Sequence, residues 1–223
     1  ILYCTGVVPA ISSIVRKMTE IGDDIVVLSP VYNIFYNSIL NNGRKVLASE
    51  LRYDAGSYAI DFADVEEKLS RETTSLFIFC NPHNPIGKVW DRPTLERIAE
   101  LCIKHDVLVV SDEIHCDLTH IGHAYIPLAS ISEEIADRTI TCIAPTKAFN
   151  IAGLQTAAIV IPNPEIRKQV DRGINTDEVA EPNTFAIQAA EAAFDEGEEW
   201  LEELREYLEQ NRQFLIASLK ELV

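Results

Sequence analysis

The stretch Ser75-Leu-Phe-Ile-Phe-Cys80, followed directly by Asn81-Pro-His-Asn-Pro-Ile-Gly87, decides the fold that this sequence predicts. The first segment is a continuous apolar run, which is typical of a strand buried on both faces of a sheet. The second segment is rich in asparagine and proline, which predicts a loop immediately after the strand. The pair therefore predicts a buried parallel strand with a polar loop at its carboxyl end.

Similar apolar runs recur along the chain and alternate with longer amphipathic stretches. The predicted strands are Asp24–Ser29, Lys45–Ser49, Ser75–Cys80, Val107–Asp112, Thr139–Ala144 and Thr156–Ile161. The predicted helices are Pro9–Thr19, Tyr32–Asn41, Phe62–Leu69, Pro93–His105, Glu165–Gly173, Thr184–Phe194 and a long one from about Gly197 to Leu222. This alternation predicts an α/β fold with a mainly parallel sheet and crossover helices. The long helix has an apolar stripe opposite a glutamate-rich face, which favours one packed and one solvated face.

Composition excludes several functional classes. The chain has 223 residues, with 35 acidic against 19 basic side chains and a formal net charge of −16. Such an excess of negative charge argues against binding to nucleic acid or to an anionic membrane surface. The apolar runs are also shorter than the roughly 20 residues that span a bilayer. Five scattered cysteines, with no Cys-x-x-Cys spacing, favour a reduced, cytoplasmic location.

Polar side chains follow three of the predicted strands. Asn84 lies in the loop after the first, Asp112 ends the second, and Lys147 follows the third. Because ligands bind outside the carboxyl ends of strands in open α/β sheets, these three residues are expected at one edge. Thr5-Gly-Val-Val-Pro9 opens a predicted helix, whose free backbone amides suit a phosphate.

An amine, a carboxylate, an amide and a phosphate cradle are the groups that pyridoxal 5′-phosphate (PLP) requires. The lysine binds its aldehyde, and the carboxylate keeps the ring nitrogen protonated so that the ring can accept electrons. Nicotinamide or ATP binding is not favoured, because the chain has neither a Gly-x-Gly-x-x-Gly motif nor a Walker loop. His115, His120 and His123 lie close in sequence, but their spacing fits no standard zinc site, and we expect no metal.

At these residues the chain resembles the large domain of a fold-type I PLP enzyme of the class I/II aminotransferase superfamily. Within it, the sequence is most similar to the MalY/PatB-type cystathionine β-lyase (C–S lyase) branch. The segments that carry the resemblance are Thr5–Ala10, Asn81–Trp90, Ser111–His115 and Ala144–Gln155. The resemblance implies a three-layer sandwich like that of aspartate aminotransferase. It also implies that residues 1–223 are the PLP-binding large domain, as a fragment without an N-terminal segment and a C-terminal small domain.

The resemblance implies roles for individual residues. Lys147 matches the lysine that binds the cofactor and acts as the catalytic base. Asp112 matches the partner of the ring nitrogen, and Asn84 matches the donor to the ring 3′-oxygen. Tyr32 matches the aromatic residue that stacks on the ring. His115 stands where related enzymes have a tyrosine near the 3′-oxygen, although a purely structural histidine is a close alternative.

The implied phosphate ligands come from two segments. They are the backbone amides of Gly6, Val7 and Val8 and the hydroxyl of Thr146. Gln155 stands where many aminotransferases have an arginine that binds the phosphate. This departure is typical of the C–S lyase branch, and it leaves the phosphate charge more dependent on the helix amides.

The function implied is β-elimination on a sulfur-containing amino acid such as cystathionine or cysteine, giving a thiol, pyruvate and ammonia. Two alternatives remain open: a class I/II aminotransferase that uses the same residues, and a non-catalytic interaction module. The partner implied is a small amino-acid substrate, within a homodimer of the full-length protein. We expect the fragment itself to be poorly active.

Overall fold

The computed structural model describes residues 1–221 and shows one large sheet with helices on both faces. The strands are β1 (Leu2–Cys4), β2 (Asp24–Ser29), β3 (Lys45–Glu50), β4 (Arg52–Asp54), β5 (Ser57–Ala59), β6 (Thr74–Cys80), β7 (Leu108–Asp112), β8 (Thr139–Ile143) and β9 (Ala157–Val160). The helices are α1 (Val7–Met18), α2 (Ile34–Leu40), α3 (Phe62–Leu69), α4 (Arg92–Lys104), α5 (Glu133–Asp137), α6 (Pro145–Ala148), α7 (Pro164–Thr176), α8 (Ala186–Glu196) and α9 (Glu198–Glu221).

The sheet has the strand order β1-β9-β8-β7-β6-β2-β3. The pairs from β8 to β3 are parallel, whereas β9 runs antiparallel to both of its neighbours, β8 and β1. The prediction of a mainly parallel sheet is therefore confirmed. The carboxyl ends of β6, β7 and β8 lie side by side, because these three strands are consecutive in the sheet.

Two apolar cores lie on opposite faces of this sheet. Along β2, Ile25 and Val27 belong to the core shared with α1, α2 and α7. The intervening residues Val26 and Leu28 belong to the other core, which includes side chains of α3, α4 and α5. This alternation is what a strand covered on both faces requires. The three-layer α/β sandwich is confirmed.

The fold contains short elements that the sequence pattern does not predict. They are β1, the hairpin β4–β5, and the helices α5 and α6. These elements have three to five residues each, too few to show a periodicity. The predicted helix from Tyr32 begins instead at Ile34, so Tyr32 lies in the turn before α2. The predicted end of the last helix at Leu222 lies outside the described residues.

The two C-terminal helices differ from the rest in how their apolar residues are placed. The predicted apolar stripe of α9 is not packed along its length: Phe214 is 75% exposed and Leu215 is 57% exposed. On α8, Phe194 is 53% exposed. The prediction of one packed face is therefore wrong for the second half of α9. Among residues 1–221, no helix has the length and apolar character needed to cross a membrane.

Candidate functional site

A cavity of about 330 Å³ lies at the carboxyl ends of β6, β7 and β8, beside the N-terminus of α1. That size is within the usual range for small-molecule sites. All nine residues assigned to the cofactor by resemblance line it: Gly6, Val7, Val8, Tyr32, Asn84, Asp112, His115, Thr146 and Lys147. The sheet thus brings together side chains that are far apart in sequence.

Asp112 is the buried anionic group of this cavity. It is the last residue of β7, where it lies opposite Cys80 of β6 and Cys142 of β8. Only 4% of it is exposed, and Oδ1 accepts a hydrogen bond from the backbone amide of Ile114 at 3.2 Å. Burial raises the pKa of its carboxyl group to about 7, and neither this amide nor the charge of Lys147 offsets the effect. A cation in the cavity would therefore be strongly favoured beside it.

The N-terminus of α1 supplies backbone donors to the cavity. Gly6 occupies the N-cap position with no side-chain cap, and the first turn carries no acidic residue. The amides of a helix's first turn have no partner within the helix, so a donor cluster and the positive end of a 12-residue helix lie at the cavity wall. Such an arrangement favours an anion such as phosphate.

Lys147 lies on the four-residue helix α6, which follows β8. Proline at the start of α6 fixes the backbone as the chain leaves the sheet. Lys147 is exposed, whereas its neighbours Thr146 and Ala148 are buried. The short helix therefore holds the amine at the cavity wall while the flanking residues anchor the turn.

Asn84 belongs to the loop after β6, and the base of this loop is fixed by buried hydrogen bonds. The side chain of Asn81 donates to the Ile126 carbonyl at 3.0 Å, and the Trp90 indole donates to the Cys80 carbonyl at 3.2 Å. The backbone of His83 pairs with that of Lys88, closing the loop into a tight turn. Asn84 is thereby held at the cavity on a loop that has little freedom to move.

Tyr32 and His115 form further parts of the wall. The Tyr32 ring packs edge-to-face against the buried Phe35, with the ring centroids 5.9 Å apart, and it is 36% exposed. This packing holds a flat aromatic side chain at the cavity without burying it fully. Burial, together with the charge of Lys147, lowers the pKa of the His115 imidazole, which favours its neutral form.

A buried network on Glu113 holds the segment that carries His115. Glu113 is 1% exposed and accepts hydrogen bonds from the Ser111 hydroxyl at 2.7 Å, the Leu128 amide at 3.1 Å and the Tyr125 hydroxyl. Because a buried carboxylate is costly unless it is hydrogen-bonded, these contacts tie both ends of the 113–128 segment together. His115 is therefore presented from a fixed point at the end of β7.

Some lining residues were missed by the sequence reasoning. They are Thr5, Pro9, Cys80, Ile114, Ala152 and Gln155. Cys80 reaches the cavity because it lies opposite Asp112 in the neighbouring parallel strand, a register that no local sequence pattern gives. Gln155 adopts a left-handed backbone with φ of 49°, which no sequence signal predicts for glutamine.

Fold and site together define a class of protein. A three-layer sandwich with a mainly parallel sheet matches solved structures of fold-type I PLP-dependent enzymes. The family model "Aminotransferase class I and II" matches residues 1–222. The chain belongs to this family, as the sequence resemblance predicted.

Relatives and solved structures define the branch. Cystathionine beta-lyase PatB of Bacillus subtilis (strain 168) is 48% identical over 204 residues, which are 92% of this chain and 53% of that protein. Cystalysin from Treponema denticola, whose structure contains a pyridoxal 5′-phosphate cofactor, superposes with a TM-score of 0.95 at 36% identity, covering 96% of this chain and 55% of cystalysin. The PLP-bound C–S lyase from Staphylococcus hominis gives a TM-score of 0.92 at 34% identity, covering 98% of this chain and 55% of that one.

The predicted similarity to the PatB branch is therefore confirmed. The chain spans about half the length of the curated relatives it matches.

Proposed function

We propose that the cavity binds PLP and that this chain is the cofactor-binding large domain of a C–S lyase. The observation that carries the proposal is Asp112: a buried carboxyl group with a raised pKa that faces a cavity also lined by Lys147. A protonated ring nitrogen would supply the cation that this carboxylate lacks. The uncapped first turn of α1 suits the phosphate of the same molecule.

The remaining side chains would hold the ring in one orientation. Tyr32 offers an aromatic face, and Asn84 offers an amide donor to the 3′-oxygen. His115 is in reach of the same side of the cavity, because it shares the cavity wall with Asn84. Thr146 adds a hydroxyl next to the amides of α1. Fixing the ring in this way is what makes one substrate bond break in preference to others.

When bound, PLP supplies an electron sink for the bonds at the substrate Cα. Lys147 then acts as the base that takes the Cα proton onto its Nζ, since its flexible stem lets the amine reach across the cavity wall. The carboxylate of Asp112 would pair with the ring nitrogen. The neutral imidazole of His115 would offer a hydrogen bond to the cofactor without adding a second positive charge beside Lys147.

We propose β-elimination on a sulfur-containing amino acid such as cystathionine or cysteine as the reaction. The support is the cystathionine β-lyase name of a relative at 48% identity and the C–S lyase identity of a solved structure with the same fold. Gln155 at the cavity wall, in place of an arginine, agrees with this branch. We propose a cytoplasmic homodimer, a location supported by five unpaired cysteines.

Cofactor binding is tested by a visible absorbance titration of the purified chain with PLP. We expect a new visible band that is absent from Lys147→Ala, because the band requires the lysine amine. Lys147→Arg is the control that keeps the charge without a reactive amine, and it should also lack the band. An unchanged band in Lys147→Ala would refute the assignment of Lys147.

The reaction is tested on the whole protein, because this chain covers about half of its relatives' length. Cystathionine is added and the formation of pyruvate and of pyridoxamine 5′-phosphate is measured. Pyruvate as the main product supports the lyase. Pyridoxamine 5′-phosphate without pyruvate would assign the protein to the aminotransferases instead.

A further inference from the structure

Three aromatic side chains meet behind the lysine turn, at the junction between α8 and α9. The Phe149 ring stacks on Trp200, with the centroids 6.0 Å apart and an interplanar angle of 29°. It also packs edge-to-face against Phe194, with the centroids 5.9 Å apart. We refer to Phe149, Phe194 and Trp200 as the aromatic junction.

Gly197 makes room for this junction. It lies between α8 and α9, and its amide donates to the Ala193 carbonyl at 3.1 Å. A Cβ atom at this position would lie 2.5 Å from Cε1 of Phe149 and 2.3 Å from the Ala193 carbonyl oxygen. Both distances are far below van der Waals contact, so any other residue would displace Phe149 or open the turn.

Phe149 is linked to Lys147 through α6, the shortest α-helix among residues 1–221. Its amide donates to the Pro145 carbonyl at 2.9 Å, closing the turn of α6 that contains Lys147. One helical turn is not stable by itself, because fixing the backbone of the first turn costs more free energy than its single hydrogen bond contributes. The geometry of this turn must therefore come from packing, and the aromatic junction packs against its carboxyl end.

We propose that Trp200 is a positioning residue for Lys147, acting through the ring of Phe149, and that Gly197 is required for this contact. The inference rests on the proposed function, since it concerns the lysine that would bind PLP. It goes further by assigning a role at the cofactor site to α9, which contributes no lining residue to the cavity.

The test compares two ligands on the purified chain. PLP has the aldehyde that reacts with Lys147, whereas pyridoxamine 5′-phosphate has the same ring and phosphate but no aldehyde. In Trp200→Ala we expect the affinity for PLP to fall about threefold to tenfold, the change that loss of an aromatic pair produces in an equilibrium constant. The affinity for pyridoxamine 5′-phosphate should fall clearly less than the affinity for PLP, because this ligand does not react with Lys147 and reaches the lysine turn only through the Thr146 hydroxyl.

Two further variants check the path through Phe149. Trp200→Phe keeps an aromatic stack and should restore most of the PLP affinity. Gly197→Ala should weaken PLP binding in the same selective way. Phe214→Ala removes an exposed aromatic residue from the same helix and should bind both ligands as the unaltered chain does.

The outcomes are distinct. Equal losses for both ligands in Trp200→Ala would mean that the cavity as a whole is damaged and would overturn the positioning role. Unchanged binding of both ligands would overturn it as well. If the unaltered chain binds neither ligand, the proposed function fails and the inference fails with it.

Discussion

The cavity and the helix α9 place the same chemical groups in opposite environments. Asp112 is buried at the end of β7, and burial raises the pKa of its carboxyl group to about 7. Glu209 on α9 lies at the surface, where hydrogen bonds from Arg212 and Gln213 lower the pKa of its carboxyl group to about 2. Both side chains are carboxylic acids, so the difference between their pKa values comes from their surroundings. Burial is what gives Asp112 the raised carboxyl pKa that suits a cofactor site.

Apolar side chains show the same contrast. Phe77 of β6 is fully buried in one of the two cores of the sheet, with the Phe79 ring 5.6 Å away. Phe214 of α9 is 75% exposed. The sheet therefore forms a rigid support for the site, whereas the second half of α9 adds little to the stability of the described fold.

Replacing Phe77 by alanine should have the largest effect on stability. Removing a fully buried phenylalanine leaves a cavity, and the free energy of unfolding should fall by about 3–5 kcal/mol. Urea unfolding followed by circular dichroism measures this change. A loss below about 1 kcal/mol would show that the core around Phe77 is loosely packed, contrary to its burial.

Asp112→Asn should change how stability depends on pH in the cofactor-free chain. The pKa of Asp112 is raised from an ordinary value of 3.8 to about 7, so the folded state binds its proton more tightly than the unfolded state. The contribution of Asp112 to the free energy of unfolding is therefore fully present below about pH 4, and it is lost as the pH rises to about 7. Over this pH range, the free energy of unfolding of the unaltered chain should fall by on the order of 3 kcal/mol relative to that of the variant.

Urea unfolding at several pH values checks the Asp112 prediction. Glu209→Gln is the matched control, because the pKa of the Glu209 carboxyl group is lowered rather than raised. The contribution of Glu209 to the free energy of unfolding is therefore present above about pH 4.5 and is lost only as the pH falls towards 2. Between pH 5 and 7 the Glu209→Gln curve should therefore run parallel to that of the unaltered chain. Parallel curves for Asp112→Asn would contradict the raised pKa.

Asp91→Ala should have a smaller effect. The Asp91 carboxylate caps α4 by accepting a hydrogen bond from the Thr94 amide at 3.0 Å. Losing this cap should lower the free energy of unfolding by about 1 kcal/mol. Asp91→Asn keeps an equally good capping group and should behave like the unaltered chain. Equal losses in the two variants would indicate that charge, rather than capping, is what matters.

Phe214→Ala should have the smallest effect, within about 0.5 kcal/mol, as is usual for exposed positions. The same urea measurement as for Phe77 applies, so the two variants compare one residue type in the two environments. A loss of several kcal/mol would show that α9 is packed in solution against something other than the described residues.

Much of the fold could be predicted from the sequence, because long apolar runs leave few alternatives. The six predicted strands are all present, and α3 has the predicted bounds from Phe62 to Leu69. Asp61 before α3 accepts capping hydrogen bonds from the backbone amides of Ala63 and Asp64. Strand order and the antiparallel direction of β9 could not be predicted, since pairing depends on contacts between distant segments.

The site was predicted at the level of residues but not of their environment. The sequence pattern placed Asn84, Asp112 and Lys147 at one edge, and the cavity contains all three. It gave no indication that Cys80 reaches the same cavity, or that Glu113 holds the His115 segment through Tyr125. Those contacts depend on register and on side-chain packing across the loop, which a local pattern does not encode.

The register that sets Asp112 between Cys80 and Cys142 also governs when a ligand can be recognised during folding. The groups at this edge become neighbours only after β6, β7 and β8 have paired, and each pairing closes a long loop at an entropic cost. A ligand that contacts the ends of all three strands cannot bind a partly folded chain in which one of these strands is unpaired. Ligand binding therefore stabilises only the chain in which all three strands have paired. It shifts the folding equilibrium towards that state and so opposes the reversal of each earlier pairing step.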